Sequence, residues 1–238
     1  MQKRIYQRMI LAATLALLMT ALEVPSQAAT PGENQKFLKQ LYADLLNRAP
    51  SRGELATFSG LLGLGITRTQ VAGCITSSKE YRTDLIEQYF NVFLNRPATA
   101  GEVAFYLNYI QQGATDDDVQ ALIFGGDEFY RFAGGTGHLF LNQLFEDVLG
   151  RPVDRSSELT FTAFLGNGGT RQAIALIVLQ SLEADQREVT QLVQKFLKRP
   201  PQPAELINFS QILQTGGKDE FLVDLLCGGD EYFQLAVK

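Results

Sequence analysis

Tryptophan is absent from this 238-residue chain, histidine occurs once and cysteine twice. Metal and nucleotide chemistry have little to work with. There is no Cys-x-x-Cys, His-Glu-x-x-His or P-loop pattern, so neither a zinc site nor a phosphate cradle is supported. Any Ser/His/Asp or Cys/His constellation needs His138, and nothing in the sequence brings a nucleophile near it. His138 therefore reads as a surface or interface residue. Cys74 and Cys227 lie far apart and read as two small buried apolar side chains, a disulfide being the alternative.

Long apolar runs are scarce too. The one at the N-terminus, Ile10 to Leu22, falls short of the ~20 residues a spanning helix needs. It follows Lys3, Arg4 and Arg8 and precedes Glu23-Val24-Pro25-Ser26-Gln27-Ala28. Basic n-region, short h-region and small-x-small site together predict a signal peptide over 1–28, an uncleaved anchor being the alternative. No cysteine follows the run, which argues against a lipoprotein. The expectation is an exported chain, periplasmic or extracellular and cell-surface, with no stable membrane span after cleavage. The remainder carries 18 Lys and Arg against 25 Asp and Glu, a formal charge of −7. Such a surface repels phosphate backbones, so nucleic acid is not expected as a partner.

What the chain has in abundance is self-similarity. Leu46-Asn47-Arg48, Leu94-Asn95-Arg96, Leu149-Gly150-Arg151 and Leu197-Lys198-Arg199 set four zero points. Ten residues on stands an aromatic (Phe58, Tyr106, Phe161, Phe209), and fourteen on an aliphatic (Leu62, Ile110, Leu165, Leu213). Seventeen on is glycine (Gly65, Gly113, Gly168, Gly216), and twenty-three on is Val71, Val119, Ile174 or Leu222. Thirty-two on is glutamate: Glu80, Glu128, Glu183, Glu231. Six positions on one ruler in four copies make a tandem repeat.

Each unit predicts three helices. An amphipathic stretch (Phe37, Leu38, Leu41, Leu45 and Leu46 in the first copy) precedes the arginine, and Pro50, Pro97, Pro152 or Pro200 discourages its continuation. A second helix starts near Ser51, Thr99, Ser156 or Pro203 and stops at the glycine, which suits a left-handed end. A third opens at Thr67 with Gln70 as a capping box and carries Val71, Cys74 and Ile75 on its apolar face. No segment alternates with hairpin turn chemistry, so strands are not expected.

The arginines are 48, 55 and 48 residues apart, and the longer interval holds Gly134-Gly135-Thr136-Gly137. The expected fold is all-α: four repeats of about 48–55 residues, three helices each, paired into two halves. Residues 31–133 hold repeats 1 and 2, residues 134–137 form a Gly-rich hinge, and residues 138–238 hold repeats 3 and 4.

The repeated charges predict structural clamps, with arginine at the end of a first helix and glutamate at the end of a third. The pairs are Arg48–Glu80, Arg96–Glu128, Arg151–Glu183 and Arg199–Glu231. A ligand groove lined by both charges is the alternative. Gly125-Gly126-Asp127-Glu128-Phe129 spells the signature of diguanylate cyclases, and Gly228-Gly229-Asp230-Glu231-Tyr232 nearly repeats it. The other copies read Ser77-Ser78-Lys79-Glu80-Tyr81 and Leu182-Glu183-Ala184, and no α/β alternation surrounds any of them. The letters come from the repeat. Asp116-Asp117-Asp118 lacks the spaced ligands of a calcium loop and reads as the acidic first turn of a helix after Thr115. Tyr130, Phe132 and Tyr232 are candidate ligand-facing aromatics able to stack on sugars; wedging between repeats is their other role.

The first copy, Leu41-Tyr42-Ala43-Asp44-Leu45-Leu46-Asn47-Arg48-Ala49-Pro50 with Gly53-Glu54-Leu55, Gly65 and Ser78-Lys79-Glu80-Tyr81, resembles domain of unknown function 4214. That family reads roughly LYxxLLGRxPDxxGLxYW and ends in SxEY. The resemblance implies a helical domain of bacterial secreted and surface proteins, similar in its core motif to phycobilisome linker domains, with no catalytic residues to carry over. The family's aspartate is Ser51 here, and its Tyr-Trp pair becomes Thr57-Phe58, Phe105-Tyr106, Thr160-Phe161 and Asn208-Phe209. The functional expectation is an exported, non-catalytic repeat protein, without cofactor or metal, that engages a protein or cell-envelope component. A glycan-binding module and a phycobilisome-linker-like scaffold are the alternatives; export and acidity weigh against the scaffold.

Overall fold

The computed structural model describes residues 29–238, so the signal peptide expected over 1–28 lies outside the described residues. Those described form fourteen α-helices and no strand. Around the first arginine lie α1 (Pro31–Leu46), α2 (Arg52–Gly63) and α3 (Arg68–Thr76). Around the second lie α4 (Lys79–Leu94), α5 (Ala100–Gln111) and α6 (Asp116–Gly125), followed by the short α7 (Asp127–Phe132). The third has α8 (Gly137–Leu149), α9 (Arg155–Gly166) and α10 (Arg171–Leu179). The fourth has α11 (Leu182–Leu197), α12 (Pro203–Gln214), α13 (Asp219–Gly228) and the final α14 (Asp230–Val237).

Local chemistry sets the boundaries. Thr30, Ser51, Thr67, Thr99 and Thr115 each cap a helix through a reciprocal box with the third helical residue, which satisfies two otherwise orphaned N–H groups. First helices end on a left-handed residue, Asn47, Asn95, Gly150 or Lys198, which reverses the chain just before the arginine. Gly65, Gly113, Gly168 and Gly216 hold φ of +92°, +103°, +86° and +87° where second helices stop. The glutamate at +32 sits in the opening turn of the next helix rather than at the end of a third one, because Ser78, Ser181, Gly126 or Gly229 starts a new helix there. An acid is favoured at that end of the dipole.

Two cores form, and they do not follow the halves 31–133 and 138–238. One joins Phe37, Leu41, Val71 and Ile75 of repeat 1 to Val193, Phe196, Leu222 and Tyr232 of repeat 4. The other joins Phe90, Val119 and Phe124 of repeat 2 to Phe140, Leu144, Ile174 and Val178 of repeat 3. The most extensive helix pairings are α3 on α13 and α6 on α10.

Connector stiffness explains the nesting. Helices α4 and α11 each run 16 residues without a break, from the glutamate of one repeat to the arginine of the next. At 1.5 Å per residue each is a strut of roughly 24 Å that holds successive repeats apart. Between repeats 2 and 3 the strut is cut at Gly134 and Gly135, with φ of +111° and +72°, so α7 and α8 are separate and repeat 3 folds back onto repeat 2. Repeat 4 then returns to repeat 1. Burying α1's Phe37, Leu38 and Leu41 in that closure contributes on the order of 1.5–3 kcal/mol per side chain.

Candidate functional site

The reversal at Asn47 throws Arg48 across the starts of two neighbouring helices. Its Nε and Nη2 donate to Glu80 at 2.6 and 2.7 Å, and Nη1 and Nη2 donate to Glu54 at 3.0 and 2.7 Å. Nη1 also donates to the Ala49 carbonyl at 3.1 Å, and the guanidinium lies 5.1 Å over the Tyr42 ring. Arg96 repeats this with Glu128, Glu102 and Pro97 O, and Arg199 with Glu231, Glu205 and Pro200 O. Arg151 holds Glu183 in the same way, but its second carboxylate is Asp154, 3.4 Å away, because Ser157 stands where the other copies have glutamate.

Thus all four arginine–glutamate pairs meet, and sequence reasoning missed the second acid. Glu54, Glu102 and Glu205 also accept from the backbone N–H of their N-cap residue, so one carboxylate closes a capping box and an ion pair. The Arg48 guanidinium, then Ser51, hold Glu54 down at about 2; Arg96 does the same for Glu102. Glu80, Glu128, Glu183 and Glu205 are also lowered, each mainly by its arginine. Every arginine carries at least two charge-assisted contacts and has no free fork for a ligand.

The two Gly-Gly-Asp-Glu segments form a second device that the sequence reading did not assign. Arg171, at the start of α10, donates Nε to the Gly125 carbonyl at 3.2 Å, pairs with Asp127 and lies 4.4 Å over the Tyr130 ring. Arg68, at the start of α3, donates to the Gly228 carbonyl at 3.1 Å, pairs with Asp230 and lies 4.4 Å over Phe233. The glycines allow this approach. A Cβ on Gly125 would fall 2.7 Å from Gln172 Cα, and one on Gly228 would fall 2.5 Å from Thr69 Cα. Repeat 1 is locked to repeat 4 and repeat 3 to repeat 2 by the same construction. Residues 125–129 lie across a helix end, not on a hairpin.

The three candidate aromatics do not share a groove. Tyr232 is 2% exposed, packs edge-on against Phe37 and Phe196, and donates its hydroxyl to Asp44 at 2.7 Å. Its large ring fills the first core, so it is a core residue and not a ligand-facing one. Tyr130 is half-buried under Arg171, and only Phe132 is exposed, at 49%. His138 is exposed and pairs its Nδ1 with Glu158 at 2.6 Å. Cys227 is buried, Cys74 is exposed, and neither is bonded. Cys74 leaves the expected apolar face because α3 packs on α13 through Val71, Ala72, Ile75 and Thr76. Asp116, Asp117 and Asp118 form the opening turn of α6, where Asp118 closes the box with Thr115.

Among the described residues no helix is long and apolar enough to cross a membrane. No curated protein and no solved structure matches the chain. The family described as Domain of unknown function (DUF4214) matches residues 19–85, which take in α1 to α3 and about the first two turns of α4. That stretch holds the whole first clamp, from the Leu-Asn-Arg-Ala-Pro reversal to Glu54 and Glu80, and it is over residues 19–85 that the chain is similar to the DUF4214 family.

Proposed function

We propose that this protein is an exported, non-catalytic helical scaffold that engages a protein or cell-envelope component through the outer faces of its second helices. The observation that carries the reading is large apolar side chains left exposed on the second helices of three repeats. Phe105 on α5 is 56% exposed, and Leu159 on α9 and Ile207 on α12 are 63% exposed. Those helices stand at the periphery; α2 and α9 contain no fully buried residue. Large apolar side chains held out to solvent by rigid elements are what a partner's apolar surface covers. The repeated charges are already engaged in clamps and locks, which leaves them no evident catalytic role.

The test is photo-crosslinking in the native envelope. A crosslinking residue at Phe105, Leu159 or Ile207 should give discrete adducts with one partner. The same residue at Glu87, exposed on α4, should not. Recovery of the protein in the cytosol, or adducts indifferent to position, contradicts the proposal.

A further inference from the structure

Carboxylates gather where the starts of α6 and α13 meet α11. Asp116 and Asp219 open the two helices, each followed by a second acid, Asp117 and Glu220. Asp185 and Glu188 of α11 act on the same place. Between them lies a cleft of about 280 Å³ lined by Asp116, Asp117, Asp185 and Asp219, with the amides of Gln180 and Gln214. Lys218 at the cleft and Arg82 of α4 are the positive groups acting on Asp116.

Asp116 is the residue the fold leaves unexplained. It is 8% exposed and lines the cleft, and its carboxylate oxygens, which are not sealed from solvent, make no hydrogen bond or ion pair with another described residue. Asp185, equally buried, accepts from Gln214 Nε2. A carboxylate this deeply set and open to the cleft favours a cation beside it. The repeat adds an imbalance of charge at the same junction. Thirty-four residues past the arginine stands Arg82 in the first copy and Asp185 in the third. A cation built into one side of the junction is thus replaced on the other by a carboxylate and open volume.

Protons are the competing source of neutralising charge. Burial first, then neighbouring acids, push Asp116 up to about 7, Asp117 to about 6 and Glu188 to about 8. A bound cation replaces those protons, which pass to solvent. A single metal ion does not fit the arrangement: among the described residues no three His, Cys, Asp or Glu side chains converge closely enough to ligate one. The charge is instead strung along a cleft just below the ~300–1,000 Å³ of drug-sized pockets. We propose that this cleft binds a linear polyamine, its ammonium groups hydrogen-bonded to Asp116, Asp117, Asp185 and Asp219 and to the amide oxygens of Gln180 and Gln214. Ammonium-to-carboxylate bonds in a partly desolvated cleft are of the strong, charge-assisted kind. The site is independent of the outer apolar faces.

Thermal unfolding of the purified protein at pH 8 tests this, with spermidine, putrescine, butylamine, Mg²⁺ and NaCl compared at matched ionic strength. At ten times its Kd spermidine should raise Tm by about 3–5 °C. Putrescine should act more weakly, and butylamine and NaCl hardly at all. The shift should shrink at pH 6, where protons compete. It should vanish in Asp116→Asn and in Asp117→Asn, either of which suffices should the other misfold, and persist in Glu87→Gln, which removes the same charge elsewhere. No spermidine shift, an equal or larger one from Mg²⁺ or NaCl, or one that survives in both cleft variants overturns the proposal.

Discussion

The two repeat pairs share one lock but differ in how they are sewn. In the 2·3 pair, Arg171 reaches Asp127 across 44 residues of chain, and the helices meet through apolar side chains, Leu179 and Ala121 among them. In the 1·4 pair, Arg68 reaches Asp230 across 162 residues. At the positions corresponding to Leu179 and Ala121, Thr76 donates to Asp224 at 2.8 Å. Burial pushes Asp224 up to about 6. Arginine onto a glycine carbonyl therefore sets the geometry, while the helix faces beneath it are free to vary. The longer closure also costs more chain entropy, by about 1 kcal/mol on a logarithmic loop law.

The comparison breaks hardest at the glycines. Gly228→Ala should destabilise by at least about 3 kcal/mol in chemical denaturation, because a Cβ there meets Thr69 backbone and neither helix can yield alone. Gly125→Ala should act similarly on the 2·3 pair, so an effect confined to one of them would mean that the locks are not equivalent. Among the clamps, Arg199→Ala should cost about 1–3 kcal/mol, since its side chain is 25% exposed and makes two bidentate pairs. Arg151→Ala should cost less, because Asp154 stands 3.4 Å away. Equal losses would show that the second carboxylate contributes nothing.

Proton linkage sharpens the picture. Asp116, Asp117 and Glu188 have folded-state values above their unfolded ones, so the stability present at low pH is lost as pH rises from about 4 to about 8. Glu54 and Glu102 have values near 2, so their contribution is present above about pH 4.5 and lost as pH falls toward 2. Tm should therefore peak near about pH 4–4.5, and Asp116→Asn should raise Tm at pH 8 and flatten the alkaline limb. An unchanged alkaline limb in that variant would remove Asp116 from the cluster. Native-state hydrogen exchange should find the amides of α3 and α13 opening before those of α6 and α10, by about 1 kcal/mol. The smallest effect is a control: Gly60→Ala, with open space around it, should stabilise by about 0.5–1 kcal/mol.

Much of this architecture is legible in the sequence because it repeats with a period of one copy. Helix ends, the stopping glycines and the Arg–Glu spacing are all local or nearly so. The pairing of copies is written with a period of two, which a single consensus averages away. Twenty residues past each arginine stand Arg68, Asp116, Arg171 and Asp219, and only the second and fourth copies carry the glycine pair that accepts an arginine. That alternation says odd copies dock on even ones. It does not say which, and the choice between neighbours is made by the unbroken struts α4 and α11 and the break at Gly134. Tyr232 misleads for a related reason: its position after the glutamate resembles a surface cluster, yet the closure of repeat 4 on repeat 1 buries it.

The nested pairing stands or falls on which charges feel each other. Double-mutant cycles to alanine, read by chemical denaturation, measure this directly for Arg68 and Arg171 against Asp127 and Asp230. The account predicts coupling of about 0.5 kcal/mol or more for Arg68 with Asp230 and for Arg171 with Asp127, and none for the crossed combinations. Coupling of Arg68 to Asp127, or its absence from both matched pairs, contradicts it.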